Sequence, residues 1–248
     1  MTAIDGIDLK VARAKEHAEY LKRSTALLYQ HPTHRLVTHA EAEGLEHVIR
    51  IYGIKPVPPE WGVVVSELFY DLQSALDNLM WALVLANGGT PGRFTYFPAL
   101  RKANAQAFDR STQGASAEVK ALIETVQPYH RGDAAANDAL HVIHEVNRLD
   151  KHQVPGFATK TPAAVEFYLP PELVGCKILF TYQPLYDGTE LMRFILNEPR
   201  AQVDVKPKTT VAAFIMETES SPYLSVSDDL AKIHQSVAAV VAMLRPHL

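Results

Sequence analysis

From Glu60 to Ala86 the chain reads EWGVVVSELFYDLQSALDNLMWALVLA, and its leucine, valine, phenylalanine, methionine, tryptophan and alanine side chains wrap most of the circumference of a helix. Such a helix folds only when other elements cover it, so the segment must be the central helix of a helical core. Pro56, Pro58 and Pro59 forbid regular structure just before it, and Asn87-Gly88-Gly89 with Pro91-Gly92 ends it with residues suited to a left-handed cap and turns. Its most apolar stretch, Leu72 to Ala86, is interrupted by Gln73, Ser74, Asp77 and Asn78, which is too polar to span a bilayer. The helix calls for a protein core, and a chain of 248 residues with 47% hydrophobic content can supply one.

The remaining segments sort by periodicity. Ile7 to Tyr29 places Leu9, Ala12, Ala18, Leu21, Ala26 and Leu28 among charged residues, which predicts an amphipathic first helix. Arg35 to Lys55 alternates, is rich in branched residues around Val48 to Ile54, and has Gly44 as its only turn residue, so it reads as a β-hairpin. Short helices are expected over Lys102 to Phe108 and Ala117 to Val126, and another over Ala139 to His152 with Asn137-Asp138 before it. After Pro155 the texture turns to VEFYLP, CKILFTY and LMRFILN, with Asp187-Gly188 as the strongest hairpin signal and a further strand over Val211 to Glu217. A C-terminal helix follows from Ser227 to Leu244. The fold class is therefore α+β: a helical bundle core (about 60–153) with an early β-hairpin, a C-terminal antiparallel β segment (about 163–218) and a C-terminal helix (about 227–245). If the early hairpin pairs with the late strands, residues 1–248 form one domain.

A formal charge of −4 removes the whole-chain signature of a general nucleic-acid binder but leaves room for a local basic cleft. Cys176 is the one cysteine, so there is no disulfide framework and no thiolate metal site. No cationic-then-apolar leader opens the sequence, and the expected compartment is the cytoplasm, with no membrane partner. GxGxxG, GxxxxGK[ST], GxSxG and HExxH are all absent, so no cofactor and no metal is expected.

Chemistry is concentrated in ALHVIHEVNRLDKHQ. His141, Glu145, Arg148 and His152 stand at i, i+4, i+7 and i+11 and so project from one stripe, with His144 beside them. Histidine, carboxylate and guanidinium on one face are the ingredients of acid–base catalysis with a cation for an oxyanion or phosphorane; the plain alternative is a solvated face laced with ion pairs. The central helix supplies a counterpart in Glu67, Asp71, Ser74 and Asn78, flanked by Tyr70 and Asp77. If the two helices pack, Glu67 or Asp71 would meet Arg148 or a histidine, as a site or as a buried structural network. Two loops, GRFTYFPAL with Arg93, Tyr96 and Phe97, and QPYHRGD with Tyr129, His130 and Arg131, offer aromatics beside arginines, suited to stacking on a base or simply to anchoring the loops.

The succession ELFYDLQSALDNLMWALVLANGGTPGR, YFPAL, QPYHRGD and LHVIHEVNRLDKHQ resembles a family of uncharacterised bacterial proteins that share these blocks over about residues 60–153. More loosely, Arg148 and His152 resemble the Arg/His pair of the HEPN superfamily, helical bundles that in many members are metal-independent ribonucleases pooling the pair across a homodimer; the spacing here is shorter than usual there. That resemblance implies His152 as base on a 2′-hydroxyl, Arg148 on the phosphorane, Glu145 and Asp150 as orienting groups, and RNA as partner. The sequence reading sets against it a non-catalytic structural or binding protein, and a small-molecule enzyme using the same cleft.

Overall fold

The computed structural model describes residues 3–30, 34–150, 156–160, 173, 175–180, 184–205, 212–216, 224–226 and 228–248. It is a mixed α+β protein whose elements run α1 (Ala3–Tyr29), β1 (Arg35–Glu41), β2 (Glu46–Tyr52), α2 (Glu60–Ala86), α3 (Ala105–Ser111), α4 (Ala117–Thr125), α5 (Ala139–Asp150), β3 (Gly156–Lys160), β4 (Lys177–Phe180), β5 (Thr189–Ile195), β6 (Ala212–Met216), β7 (Leu224–Ser225) and α6 (Asp229–Leu244). The chain divides into two compact units. One comprises Met1–Arg23, Pro59–Gly156 and Ile215–Leu248; the other comprises Ser24–Pro58 and Phe157–Phe214. The expected strand in VEFYLP lies outside the described residues.

In the helical unit α2 is central, packed against α5 and α6. Thirteen of its residues are buried, among them Leu68, Phe69, Leu72, Leu79 and Met80. Its C-terminus is closed by the pair of reversed bonds that a left-handed glycine allows: Gly88 N–H donates to Leu85 and Gly89 N–H to Val84, with Gly88 at φ +73. Helix α5 starts where the Asp138 carboxylate accepts the Leu140 N–H at 2.9 Å, and it buries Leu140, Val142, Ile143 and Val146. Asn147 locks it to α2, donating to the Phe69 carbonyl at 2.8 Å. In α1 the buried face is Ile7, Ala14, Ala18 and Leu21, while Leu9 is 58% exposed and Ala12 and Ala26 are exposed, which corrects the expected stripe. Buried Gln127 clamps the loop that follows α2 by donating to Pro98 and accepting from the Leu100 N–H.

The second unit is built on a four-stranded antiparallel sheet in the order β1-β2-β5-β4, so the early hairpin does pair with the late strands. Ile49, Met192, Phe194, Leu196 and Val205 form its core. Asp187-Gly188 makes a turn, but it sits at the start of β5, and β4 pairs Phe180 with Met192; the connection is wide rather than a two-residue hairpin. The Asp187 carboxylate instead accepts the Gly53 and Ile54 N–H groups. On the sheet surface Arg193 reaches Glu41, Glu46 and Glu190, and Arg50 pairs with Glu41 at 2.7 Å.

The β1–β2 turn depends on Gly44. It has φ +89, and a Cβ there would lie 2.5 Å from the carbonyl oxygen of Arg200, a backbone atom held by Arg200 N–H donating to Gly44 and by contact with the His47 ring. Left-handed strain and the clash add, so Gly44→Ala is expected to cost roughly 2–4 kcal/mol of stability. A urea midpoint equal to wild type would show that the turn relaxes freely. Among the described residues no helix is long and apolar enough to cross a membrane.

Candidate functional site

Thirteen residues of α2 are buried, and its polar residues find partners in neighbouring elements along two lines that share Ser74. The first faces α1. Lys10 donates to the Ser74 hydroxyl, Arg13 Nε stands 3.6 Å from Asp71, and His17 Nε2 stands 3.5 Å from Glu67. Steps of three and four on one helix are matched by steps of three and four on the other, so the two run antiparallel as a polar zipper. Burial pushes the Asp71 carboxyl upward, and Arg13, His17 and Lys10 pull it back. The expectation that Glu67 or Asp71 meets Arg148 or a histidine of α5 is thus corrected. Their cations come from α1, whose Lys10, Arg13 and His17 were hidden in what reads as an ordinary charged helix face.

The second line opens as a cleft of about 410 Å³ between α2 and α5. Tyr70, Gln73, Ser74 and Asp77 line it from α2, Tyr96 from the loop beyond, and His144, Asn147 and Arg148 from α5. Asp77 is the half-buried carboxyl of its α2 wall. Burial raises the carboxyl above its usual range, opposed by the Phe97 N–H at 3.0 Å, the Gln73 amide at 3.1 Å and the nearby His144 and Lys10. Arg148, 56% exposed, forks onto Glu145 through Nη2 at 2.8 Å and Nε at 3.2 Å. That guanidinium holds the Glu145 carboxyl below its ordinary value.

The stripe expected on α5 is therefore resolved into different roles. His141 is 8% exposed, and burial pushes its imidazole pKa down, so it stands as a neutral packed side chain. Glu145 is Arg148's partner, Arg148 lines the cleft, and His152 lies outside the described residues. The cleft follows His144, Asn147 and Arg148, a face turned roughly 80° from the expected stripe. Of the other residues singled out, Tyr70 lines the cleft and Asn78 is exposed outside its lining. Tyr129 donates to Glu124 and is pushed up to about 12 by burial and that carboxylate. Arg131 pairs with Asp138 at 3.3 Å and lines a different cleft of about 420 Å³ beside α6. Phe97 is buried, so of the two aromatic loops only the first enters the site, through Tyr96.

His144 and Asp77 only flank the two expected stripes, and Gln73 and Asn147 belong to neither. A signal existed for one pair: Gln73 and Asp77 stand at i, i+4 on a largely apolar helix, where a glutamine has reason to satisfy a carboxylate. Among the described residues no group of three histidine, cysteine, aspartate or glutamate side chains is placed to hold a metal.

Fold and site together define an α+β protein whose helical unit carries a cleft lined by a histidine, a carboxyl and an arginine. Comparison with protein-family models, curated proteins and solved structures gives no match for the chain.

The raised Asp77 carboxyl makes a stability prediction. A folded-state pKa above the unfolded value means that the stabilising contribution is complete at low pH and is lost as pH rises through the folded pKa. At neutral pH the carboxylate therefore carries a cost, and Asp77→Asn, which keeps an oxygen for the Phe97 N–H, is expected to melt higher than wild type at pH 7 and equally at pH 3. A variant that melts lower at pH 7 would mean that the charge is stabilised by its partners.

Proposed function

We propose that the protein cleaves single-stranded RNA without a metal, using the α2–α5 cleft. The carrying observation is that one cleft, with room for about one nucleotide, holds an imidazole, a half-buried carboxyl whose pKa burial raises and a guanidinium, with Tyr70 and Tyr96 on its walls. In this reading His144 takes the proton of a 2′-hydroxyl, whose oxygen forms a new bond to the adjacent phosphorus. The bond from phosphorus to the 5′-oxygen breaks, and Asp77 gives its proton to that leaving oxygen, yielding a 2′,3′-cyclic phosphate. Arg148 neutralises the phosphorane, oriented by Glu145. The tyrosines hold the base by stacking. The base role assigned to His152 by resemblance passes here to His144, a described residue facing Arg148's side of the helix.

A second reading is favoured by the α1–α2 zipper, which is a partly exposed polar network of architectural kind: the α5 face would then be a structural surface, with Arg148 serving only Glu145. Incubating wild type, His144→Ala and Arg148→Lys with single-stranded RNA in the absence of metal separates the two. Cleavage by the wild type alone supports the enzyme; an inactive wild type ends that reading.

A further inference from the structure

The turn that delivers Tyr96 to the cleft also carries a cationic cluster that the cleft does not use. Arg93 and Arg110 both lie over the ring of Phe94, with guanidinium carbons 4.4 and 4.7 Å from its centre. Arg93 comes from the loop after α2 and Arg110 from α3, so tertiary structure brings them together. All three side chains are exposed, and among the described residues neither guanidinium has a carboxylate within ion-pair distance, which sets them apart from Arg13, Arg50, Arg131, Arg148, Arg193 and Arg245. Two cations sharing one ring lie within about 9 Å of each other and repel; the ring face attracts each, and an anion between or beside them would remove the repulsion. The turn is fixed by the Gly92 N–H donating to the Thr95 hydroxyl and the Thr95 N–H to the Gly92 carbonyl. Phe94 is two residues from Tyr96, so their Cα atoms are no more than about 7 Å apart.

We propose that Arg93 and Arg110, gathered by Phe94, form a phosphate subsite for the single strand whose neighbouring nucleotide occupies the cleft. This rests on the ribonuclease reading for its substrate and adds where the strand runs and what holds it. The guanidiniums bind backbone oxygens and are indifferent to base identity, which suits a chain whose net charge is negative and whose affinity for RNA must come from a local patch. Phe94 is a positioning residue: its ring holds both guanidiniums within about 9 Å of each other.

The test is fluorescence anisotropy of a labelled, 2′-O-methylated oligouridylate, which offers the phosphates but no attacking hydroxyl, titrated with full-length protein without metal at several salt concentrations. Arg93→Ala/Arg110→Ala is expected to weaken binding at least tenfold and to reduce the slope of log affinity against log salt by about 1.4, or about 0.7 per contact on a single strand. Arg93→Lys/Arg110→Lys should restore the slope, and Lys15→Ala, which removes an exposed cation of α1, should bind like wild type. All variants alter exposed residues, and melting curves confirm that each is folded. An unchanged affinity and slope in the double alanine variant overturns the subsite, as does a wild type that does not bind the oligonucleotide. If binding follows the expected pattern while unmodified RNA stays intact, the subsite stands and the catalytic reading falls; if RNA is cleaved with the same KM by wild type and double variant, the reverse holds.

Discussion

His144→Ala is expected to lower the metal-free cleavage of single-stranded RNA by about 10²–10⁴-fold, the usual contribution of a positioned acid–base group. The loss should fall on kcat, because His144 is exposed and contributes little to binding or packing. Arg148→Lys is expected to lose about 10²-fold, since an ammonium cannot reproduce a planar fork that already holds Glu145 with two nitrogens. The pH profile supplies an independent mark. Asp77 must be protonated to act as the acid, so activity should fall as pH rises through its raised pKa, and Asp77→Asn should abolish that limb while leaving the protein more stable at pH 7. A structural α5 face gives a different result: no cleavage by wild type, and a lower melting temperature when Arg148 is replaced.

Phe69→Ala is expected to destabilise the helical unit by about 3–5 kcal/mol, the range for emptying a well-packed aromatic site. Phe69 is fully buried on the helix that α5 and α6 cover, and its carbonyl accepts the Asn147 bond that seats α5. Trp81, on the same helix, is the control. It is 46% exposed, so Trp81→Ala should cost about 1 kcal/mol or less although it removes a larger side chain. Thermal or urea unfolding followed by helical circular dichroism measures both; equal losses would mean that α2 is not packed as described.

That contrast shows where the sequence was readable. The extent of α2 follows from strong local signals, with prolines before it and an Asn-Gly-Gly cap after it, and the expected bounds Glu60 to Ala86 are those observed. The early hairpin, the short helices and α5 were legible for the same reason, because alternation, caps and breakers act within a few residues. The site was legible only in part. Arg148 and Tyr70 were expected in it and line the cleft, whereas His141, also expected, is buried, and Glu67 and Asp71 turn to α1.

The sequence by itself determined the elements, the need to cover α2 and the presence of acid–base groups on two helices, because hydrophobic period and backbone chemistry are local properties. Only the tertiary structure decided which neighbour each polar residue meets. The zipper of Lys10, Arg13 and His17 with Ser74, Asp71 and Glu67 joins residues fifty or more positions apart, and a shift of one residue along either helix would turn the matching side chains by about 100°. The same rotation of α5 about its axis placed His144, not His141, in the cleft, and the docking of α3 brought Arg110 over Phe94. Periodicity tells how residues share a face; which face a partner covers is fixed by packing of side chains from distant parts of the chain, and that information is not carried by any one segment.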